Sequence, residues 1–194
     1  MKKNIILAGV GGQGILSIAA IIGATALHKG LYIKQSEVHG MSQRGGDVQS
    51  NLRISDKPIY SDLVPEGEAD VILSVEPMEV LRYKQYLKKD GWLISNNKPF
   101  NNIADYPALE GILDEIKKFP NHILIDADSI AKDLGSSLVS NVVMIGAASD
   151  YLGLTYTDLE EGIRQIFGAK GQGIIDMNLK ALEVGHSFAK EFIA

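Results

Sequence analysis

Residues 4–8 form a short, almost wholly apolar run that ends in glycines, the mark of a buried strand. Residues 13–29 follow with helical spacing, closed by Gly30 as a C-terminal stop. Their apolar members, Ile15, Leu16, Ile18, Ile21, Ile22 and Leu27 with four alanines, run nearly all round the helix. A helix without a polar face is buried on more than one side, which predicts a subunit interface as well as a sheet. A second strand is expected over 31–35. Residues 47–54 alternate Val48, Ser50, Leu52 and Ile54 with Gln49, Asn51 and Arg53, the period of a half-exposed strand. The turn residues Ser55-Asp56-Lys57-Pro58 and the short run 59–61 predict a hairpin there, hence an antiparallel element.

Further along, 71–75 is again an unbroken apolar strand. Pro77 suits the first turn of a helix running to about residue 87. Strands are expected at 92–95 and 122–125, with a loop rich in Asn and Pro over 96–107 and a helix over 109–119. The last third reads as helical, over 140–152, 159–167 and 174–192, with Thr157 and Glu160 as a capping box for the second segment. Strands alternating with helices predict an α/β fold: a Rossmann-like, open, mixed but mostly parallel sheet with helices on both faces and a helical C-terminal third. At 194 residues, one domain over 1–194 is the expectation.

Composition narrows the function. The net charge is −5, with no basic run longer than a Lys pair, against a nucleic-acid binder working through bulk positive charge. The most apolar window, 15–27, is too short for a membrane span, and the N-terminal run is too short for a signal peptide, so a cytoplasmic protein is expected. Cysteine is absent, which excludes disulfides, a catalytic thiol and thiolate ligation of zinc or an iron–sulfur cluster by this chain. His28, His122 and His186 show no metal-ligand spacing, and no metal site is expected.

Two stretches carry candidate chemistry. GVGGQG, with Gly9, Gly11, Gly12, Gln13 and Gly14, is a strand-to-helix turn with the spacing G-x-G-x-x-G, whose free N–H groups favour an anion. A dinucleotide site also wants an acid at the end of the second strand. That strand is expected to end at Lys34-Gln35-Ser36, with Glu37 further into the loop, which weakens an NAD reading. The second stretch, SEVHGMSQRGGDVQSN over 36–51, is the densest polar cluster. Gly40, Gly45 and Gly46 let backbone approach a ligand, and Arg44 offers a planar fork for a carboxylate or phosphate. His39 can move a proton near neutral pH, while Ser42 and Gln43 supply neutral hydrogen bonds. Each has a plainer reading as a surface or packing residue; their concentration in one loop marks it as functional. Gly168-Ala-Lys-Gly-Gln-Gly173 echoes the first turn but joins two helical segments, so it reads as a connection. Glu76, Asp126 and Asp128 read as residues of helix starts.

The glycine turn together with Glu37-Val-His-Gly-Met-Ser-Gln-Arg-Gly-Gly46 closely resembles the gamma domain of the 2-oxoacid:ferredoxin (or flavodoxin) oxidoreductases. The likeness continues through 51–55, 68–72, 76–79, 141–146 and the final helix; the compact length and 76–92 look most like the beta subunit of the indolepyruvate branch. The resemblance implies oxidative decarboxylation of an aryl 2-oxo acid to its acyl-CoA. Thiamine diphosphate, Mg²⁺ and iron–sulfur clusters would be held by a larger alpha subunit, with ferredoxin as electron acceptor. No Gly-Asp-Gly with a downstream Asn-Asn is present to hold Mg²⁺ and the thiamine pyrophosphate, so this chain is expected to hold none of these cofactors and to act as an accessory subunit. The turn (Gly9–Gly14) and the 39–46 loop are then expected together at a partner-facing cleft, with His39 and Arg44 in supporting roles and an anion such as a CoA phosphate or the substrate carboxylate between them. Two rival readings stay open: a stand-alone NAD(P)-dependent oxidoreductase, and a non-catalytic homodimeric scaffold built on the apolar first helix.

Overall fold

A computed structural model describes residues 1–40, 45–101 and 103–193. Six strands, β1 (Lys2–Val10), β2 (Tyr32–His39), β3 (Asp47–Ser55), β4 (Ala69–Ser74), β5 (Leu87–Asn96) and β6 (His122–Ile125), form one sheet in the order β2-β3-β1-β4-β5-β6. β1, β4, β5 and β6 are mutually parallel, and only β3 runs backwards, antiparallel to both β1 and β2. The mixed, mostly parallel expectation holds, but the antiparallel element arises differently. β3 pairs with β2 across residues 40–46; residues 59–61 form no strand. The 36–51 stretch is therefore the end of β2, a hairpin tip and the start of β3, not one loop.

Helices α1 (Ile15–His28), α4 (Ala127–Asp133), α5 (Ser140–Ala148), α6 (Tyr156–Phe167) and α7 (Gln172–Ile193) belong to one side of the sheet, where Ile5, Leu7, Leu52, Ile54, Val71 and Leu73 point into the larger core. α2 (Pro77–Arg82) and α3 (Leu109–Lys117) close a smaller core on the other side around Ile6, Ile72, Leu93 and Ile116. Alternate residues of β1 and β4 thus feed different cores, as a strand covered on both faces requires.

The all-round apolar α1 finds cover on a second side within the chain, while Leu16 and Leu27 stay exposed. Its second face is covered within the chain by α6, where Gly162 leaves no room for a Cβ: one would overlap Thr25 Oγ1 and stand 3.2 Å from Ile21 O. Thr25 is itself buried and donates to Ile21 O at 2.8 Å. α5 and α7 cross equally closely at Gly146 and Gly185, where a Cβ on either would run into the other helix's backbone carbonyl. Ser149 Oγ donates to Gly146 O at 2.7 Å and accepts from His186 Nδ1 at 2.7 Å, locking the same crossing. The capping box of α6 sits two residues earlier than its sequence reading. Thr155 Oγ1 accepts from Asp158 N at 3.2 Å, and Asp158 Oδ2 accepts from Thr155 N at 3.0 Å.

Candidate functional site

β1 leads to α1 on one side of the sheet and β4 leads to α2 on the other, so neighbouring parallel strands diverge after their carboxyl ends. A crevice opens at such a switch point in an open α/β sheet, and ligands bind there. The glycine turn leaves β1 into this crevice. Gly12 and Gly14 have φ of 101° and 81°, a backbone region that L side chains rarely enter. A Cβ at Gly14 would overlap Asn141 Nδ2, and one at Gly9 would stand 2.9 Å from Ile15 Cδ1. The Gln13 amide is consumed in holding the turn. Its Oε1 accepts from Val10 N at 2.8 Å, and its Nε2 donates to Val75 O at 3.4 Å, across the crevice. α1 has no side-chain N-cap, and the N–H groups of Gly12, Gly14, Ile15 and Leu16 meet no acceptor among the described residues. Four open donors at a helix start form a seat for an anion.

The hairpin tip and the turn do come together. Gly11 N donates to Gly46 O at 2.8 Å, and Gly45 N donates to Gly11 O at 3.4 Å, extending the β1–β3 ladder past the strand ends. Gly40 N donates to Asp47 O at 3.2 Å, closing the hairpin, and Tyr83 Oη donates to Asp47 Oδ2 at 3.3 Å, pinning its base to α2. Of the predicted site residues, Gly9, Gly11, Gly12, Gln13, Gly14, His39, Gly40, Gly45 and Gly46 converge on this corner. Ser42, Gln43 and Arg44 lie outside the described residues.

Two cavities flank the turn and share Gly12 and Gly14. One, of about 430 Å³, fills the switch crevice and is lined by Gln13, Ser17, Asn96, Asp128, Ser140 and Asn141 among others. Asn96 and Asn141 are bound into its walls: Asn96 Nδ2 donates to Asp128 Oδ2 at 3.1 Å, and Asn141 Nδ2 donates to Gly14 O at 3.3 Å. The other, of about 300 Å³, lies between the start of α1 and the β2–β3 ends, lined by Val10, Ile15, Leu16, Glu37, His39 and Val48 besides the glycines. Sequence reading missed the walls of the first cavity, because residues 96, 128 and 140–141 come from three separate segments that only the topology gathers. Of these, sequence reading singled out only Asp128, and as a helix-start residue.

The carboxylates around this end divide by role. Asp126 caps α4, accepting from Ser129 N at 3.0 Å, and pairs with Lys98 at 3.1 Å. Burial raises its pKa, but the Ser129 hydrogen bonds and Lys98 outweigh it and hold the carboxyl below the ordinary range. Glu76, fully buried, accepts from Glu79 N at 2.9 Å, from Phe100 N at 3.4 Å and from Tyr106 Oη, fastening the 97–107 loop to the end of β4. Glu79 is pushed up by burial in spite of its paired hydrogen bonds from Arg82, at 2.7 and 3.2 Å. Among the described residues, no three His, Cys, Asp or Glu side chains gather as a metal site, and no helix is long and apolar enough to cross a membrane.

Comparison with known proteins agrees with this architecture. Residues 4–188 match the family model of pyruvate ferredoxin/flavodoxin oxidoreductase. The indolepyruvate oxidoreductase subunit IorB of Archaeoglobus fulgidus is 39% identical over 97% of this chain and 96% of its own length. Among solved structures, the gamma subunit of a keto/oxoacid ferredoxin oxidoreductase from Geobacter sulfurreducens superposes with a TM-score of 0.69 at 24% identity, covering 97% of this chain and 99% of that one. The 2-oxoglutarate:ferredoxin oxidoreductase of Magnetococcus marinus superposes with a TM-score of 0.76 at 23% identity; 98% of this chain spans 31% of that longer one. The glycine turn, its paired hairpin and the six-stranded sheet that carries them thus belong to a chain of the pyruvate ferredoxin/flavodoxin oxidoreductase family, an accessory subunit of such an enzyme.

Proposed function

We propose that this chain works beside a larger alpha subunit in the cytoplasm, in the oxidative decarboxylation of an aryl 2-oxo acid of the indolepyruvate type. The 2-oxo acid and CoA give carbon dioxide and the acyl-CoA, and two electrons pass to ferredoxin. Thiamine diphosphate with Mg²⁺ and iron–sulfur clusters do not fit the residues of this chain, which has no cysteine and, among the described residues, no cluster of acidic or imidazole ligands. They belong to the large subunit, and this chain's part is to shape the cleft against it.

The observation that carries this reading is the seat of four open N–H groups on the turn, with the hairpin tip hydrogen-bonded alongside. That pairing supports an anion held between the turn and the tip, either the carboxylate of the 2-oxo acid or a phosphate of CoA. Arg44 supplies the opposing charge and His39 a neighbouring proton donor. Gly40, Gly45 and Gly46 let backbone approach the ligand or the partner surface closely, and Ser42 and Gln43 supply neutral hydrogen bonds. Reconstitution of the two-subunit enzyme with Arg44→Ala tests the site. A raised KM for CoA or for the 2-oxo acid is expected, by about tenfold for one lost charge-assisted contact. Unchanged activity, CoA dependence and assembly would remove Arg44 from the site. Co-purification from the native source tests the larger claim: a brown, cysteine-rich partner supports it, and a lone colourless chain that binds NAD defeats it.

A further inference from the structure

The flank of the sheet at β2 is uncovered, and its exposed apolar side chains are arranged about a centre. β2 is an edge strand, and no described residue pairs with its outer side. It pairs with β3 over its whole length without a register shift, and no proline interrupts it. Gly40 N donates to Asp47 O at 3.2 Å. By the alternation of an antiparallel ladder, residues 38, 36, 34 and 32 then exchange hydrogen bonds with β3, while Ile33, Gln35 and Glu37 turn their N–H and C=O outward. An open edge of this kind is a template for another strand. Tyr32 and Val38 are 51% and 56% exposed. Both point to the face away from α1, since Ile33, between them in alternation, meets that helix at Gly23. Their partners across the ladder are Ser55 and Gln49, so neither is matched with an apolar residue of β3.

A ridge on α1 overlooks the same flank. Leu16 and Leu27 are 59% and 62% exposed, and Ala20 is exposed between them. Helical spacing puts the three on one side of α1 together with Gly23, where a Cβ would stand 3.2 Å from Ile33 Cδ1. Leu16 also lines the cavity shared with Glu37 and His39 of β2. α6 takes the opposite side of the helix, at Ile21 and Thr25.

We infer that this flank binds a second copy of the chain, β2 against β2 in antiparallel, with a two-fold axis at Gln35. Tyr32 and Val38 stand three residues before and after Gln35, so the axis sets Tyr32 of each copy opposite Val38 of the other. A two-fold contact demands this self-complementarity, and aromatic–β-branched cross-strand pairs are stabilising. A different protein would not need the exposed apolar residues at equal distances from one position. The same register pairs Gln35 with its own copy and Ile33 with Glu37, the residues whose N–H and C=O point outward. Moving the axis to Ser36 sets Val38 against Lys34 and Tyr32 against Gly40; moving it to Lys34 sets that cation against itself. With the axis at Gln35, the two Lys34 side chains are diagonal neighbours about 7–8 Å apart, a repulsion that salt screens. The α1 ridges of the two copies face each other above the joined strands.

The full chain is tested by sedimentation velocity. Wild-type protein is expected to sediment as a dimer at micromolar concentration, more completely as salt is raised. Val38→Asp puts a carboxylate opposite Tyr32 twice and should weaken the dimer at least about tenfold. Gln35→Pro removes an outward N–H, leaves the ladder to β3 intact and should do the same. Because the chain has no cysteine, single substitutions report the register: on oxidation, Tyr32→Cys mixed with Val38→Cys should cross-link, and either alone should not. A monomer at micromolar concentration overturns the inference, including one whose β2 edge gains hydrogen-exchange protection only when the large subunit is added. So does a dimer indifferent to both Val38→Asp and Gln35→Pro, a dimer lost at high salt, or cysteines that cross-link as well alone as mixed. The cysteine pair decides the register even where Gln35→Pro does not fold. Assembly with the large subunit and 2-oxo acid oxidation report on the accessory-subunit reading separately.

Discussion

The crossing of α5 and α7 gives the sharpest test of how this molecule is held together. In Gly185→Ala the new methyl would overlap Val143 O and stand 2.9 Å from the Val143 carbonyl carbon and 3.1 Å from Ala147 N. These are backbone atoms of a buried helix, so no side chain can swing aside. Carbon contacts are most favourable at about 3.5–4.0 Å, so the helices must part by on the order of 1 Å. Overpacking of this kind costs typically about 1–3 kcal/mol and here falls at the upper end, because Val143, Ala147 and Leu182 at the crossing are all buried. Against this, alanine in place of glycine inside a helix favours folding by about 1 kcal/mol. The net expectation is a loss of about 1–2 kcal/mol, or a Tm lower by roughly 2–8 °C for a chain of this length. Gly111→Ala is the control. That residue lies in α3 with nothing within 4 Å of a built Cβ, so the propensity gain is unopposed and Tm should rise by roughly 2–4 °C. Thermal and urea unfolding followed by circular dichroism measure both. The double variant Gly146→Ala with Gly185→Ala should lose less than the sum, since one separation of the helices serves both methyls. A Gly185→Ala protein as stable as wild type, with Gly111→Ala stabilised as expected, would refute the claim that close backbone approach sets this crossing.

Other outcomes follow from features already described. Thr155→Ala removes the acceptor for Asp158 N and should cost about 1 kcal/mol in urea unfolding. Asp158 and Asp126 are held below the usual carboxylate range; burial opposes this, but Thr155 with Lys29, and Ser129 with Lys98, outweigh it. A carboxyl with a depressed folded pKa contributes stability above its unfolded value, about pH 4, and loses it as pH falls through the folded value. Tm should therefore drop between about pH 4 and pH 2, and Asp158→Asn with Asp126→Asn should flatten that drop. Glu79 works in the opposite sense: its raised folded pKa makes ionisation cost stability as pH rises above the unfolded value, a trend that Glu79→Gln abolishes in the same scan. Tyr106→Phe leaves Glu76 with its two backbone donors only. It should cost about 1–2 kcal/mol and speed hydrogen exchange and proteolysis across 97–107; unchanged protection would detach that loop from Glu76.

Where the local pattern was strong, the sequence predicted the structure well. β1, β4 and β6 are built on the apolar runs 5–8, 71–73 and 123–125, and the fold class follows from them and the helices between. The errors have common physical causes. β5 begins at Leu87 rather than 92: Leu87 pairs with Ala69, and a register shift passes over the polar residues 88–90 before Trp92 pairs with Val71, a break that hides the strand's start; Lys88 spends its charge on Asp70 at 2.7 Å. β2 was read four residues short because Ser36, Glu37 and His39 look like loop, yet at a sheet edge half-exposed polar residues are ordinary strand residues. The apolar circumference of α1 correctly demanded a second cover, but sequence cannot tell a helix of the same chain from a partner. That the turn and the hairpin lie together was expected once the resemblance was drawn, and the hydrogen bonds of Gly11 join them. The walls of the switch crevice were not, being gathered by topology from segments up to 127 residues apart, as Gly14 and Asn141 are.

The two hydrogen bonds between Gly11 and the 45–46 end of the hairpin make the turn and the tip a single lever. Gly11 directly follows the strand that runs through the middle of the sheet, and residues 45–46 lead into the strand beside it. A ligand that shifts the turn drags the tip with it, and a protein that grips the tip stiffens the turn. Loading of the cleft is in this way readable from outside it, by whatever surface rests on the hairpin.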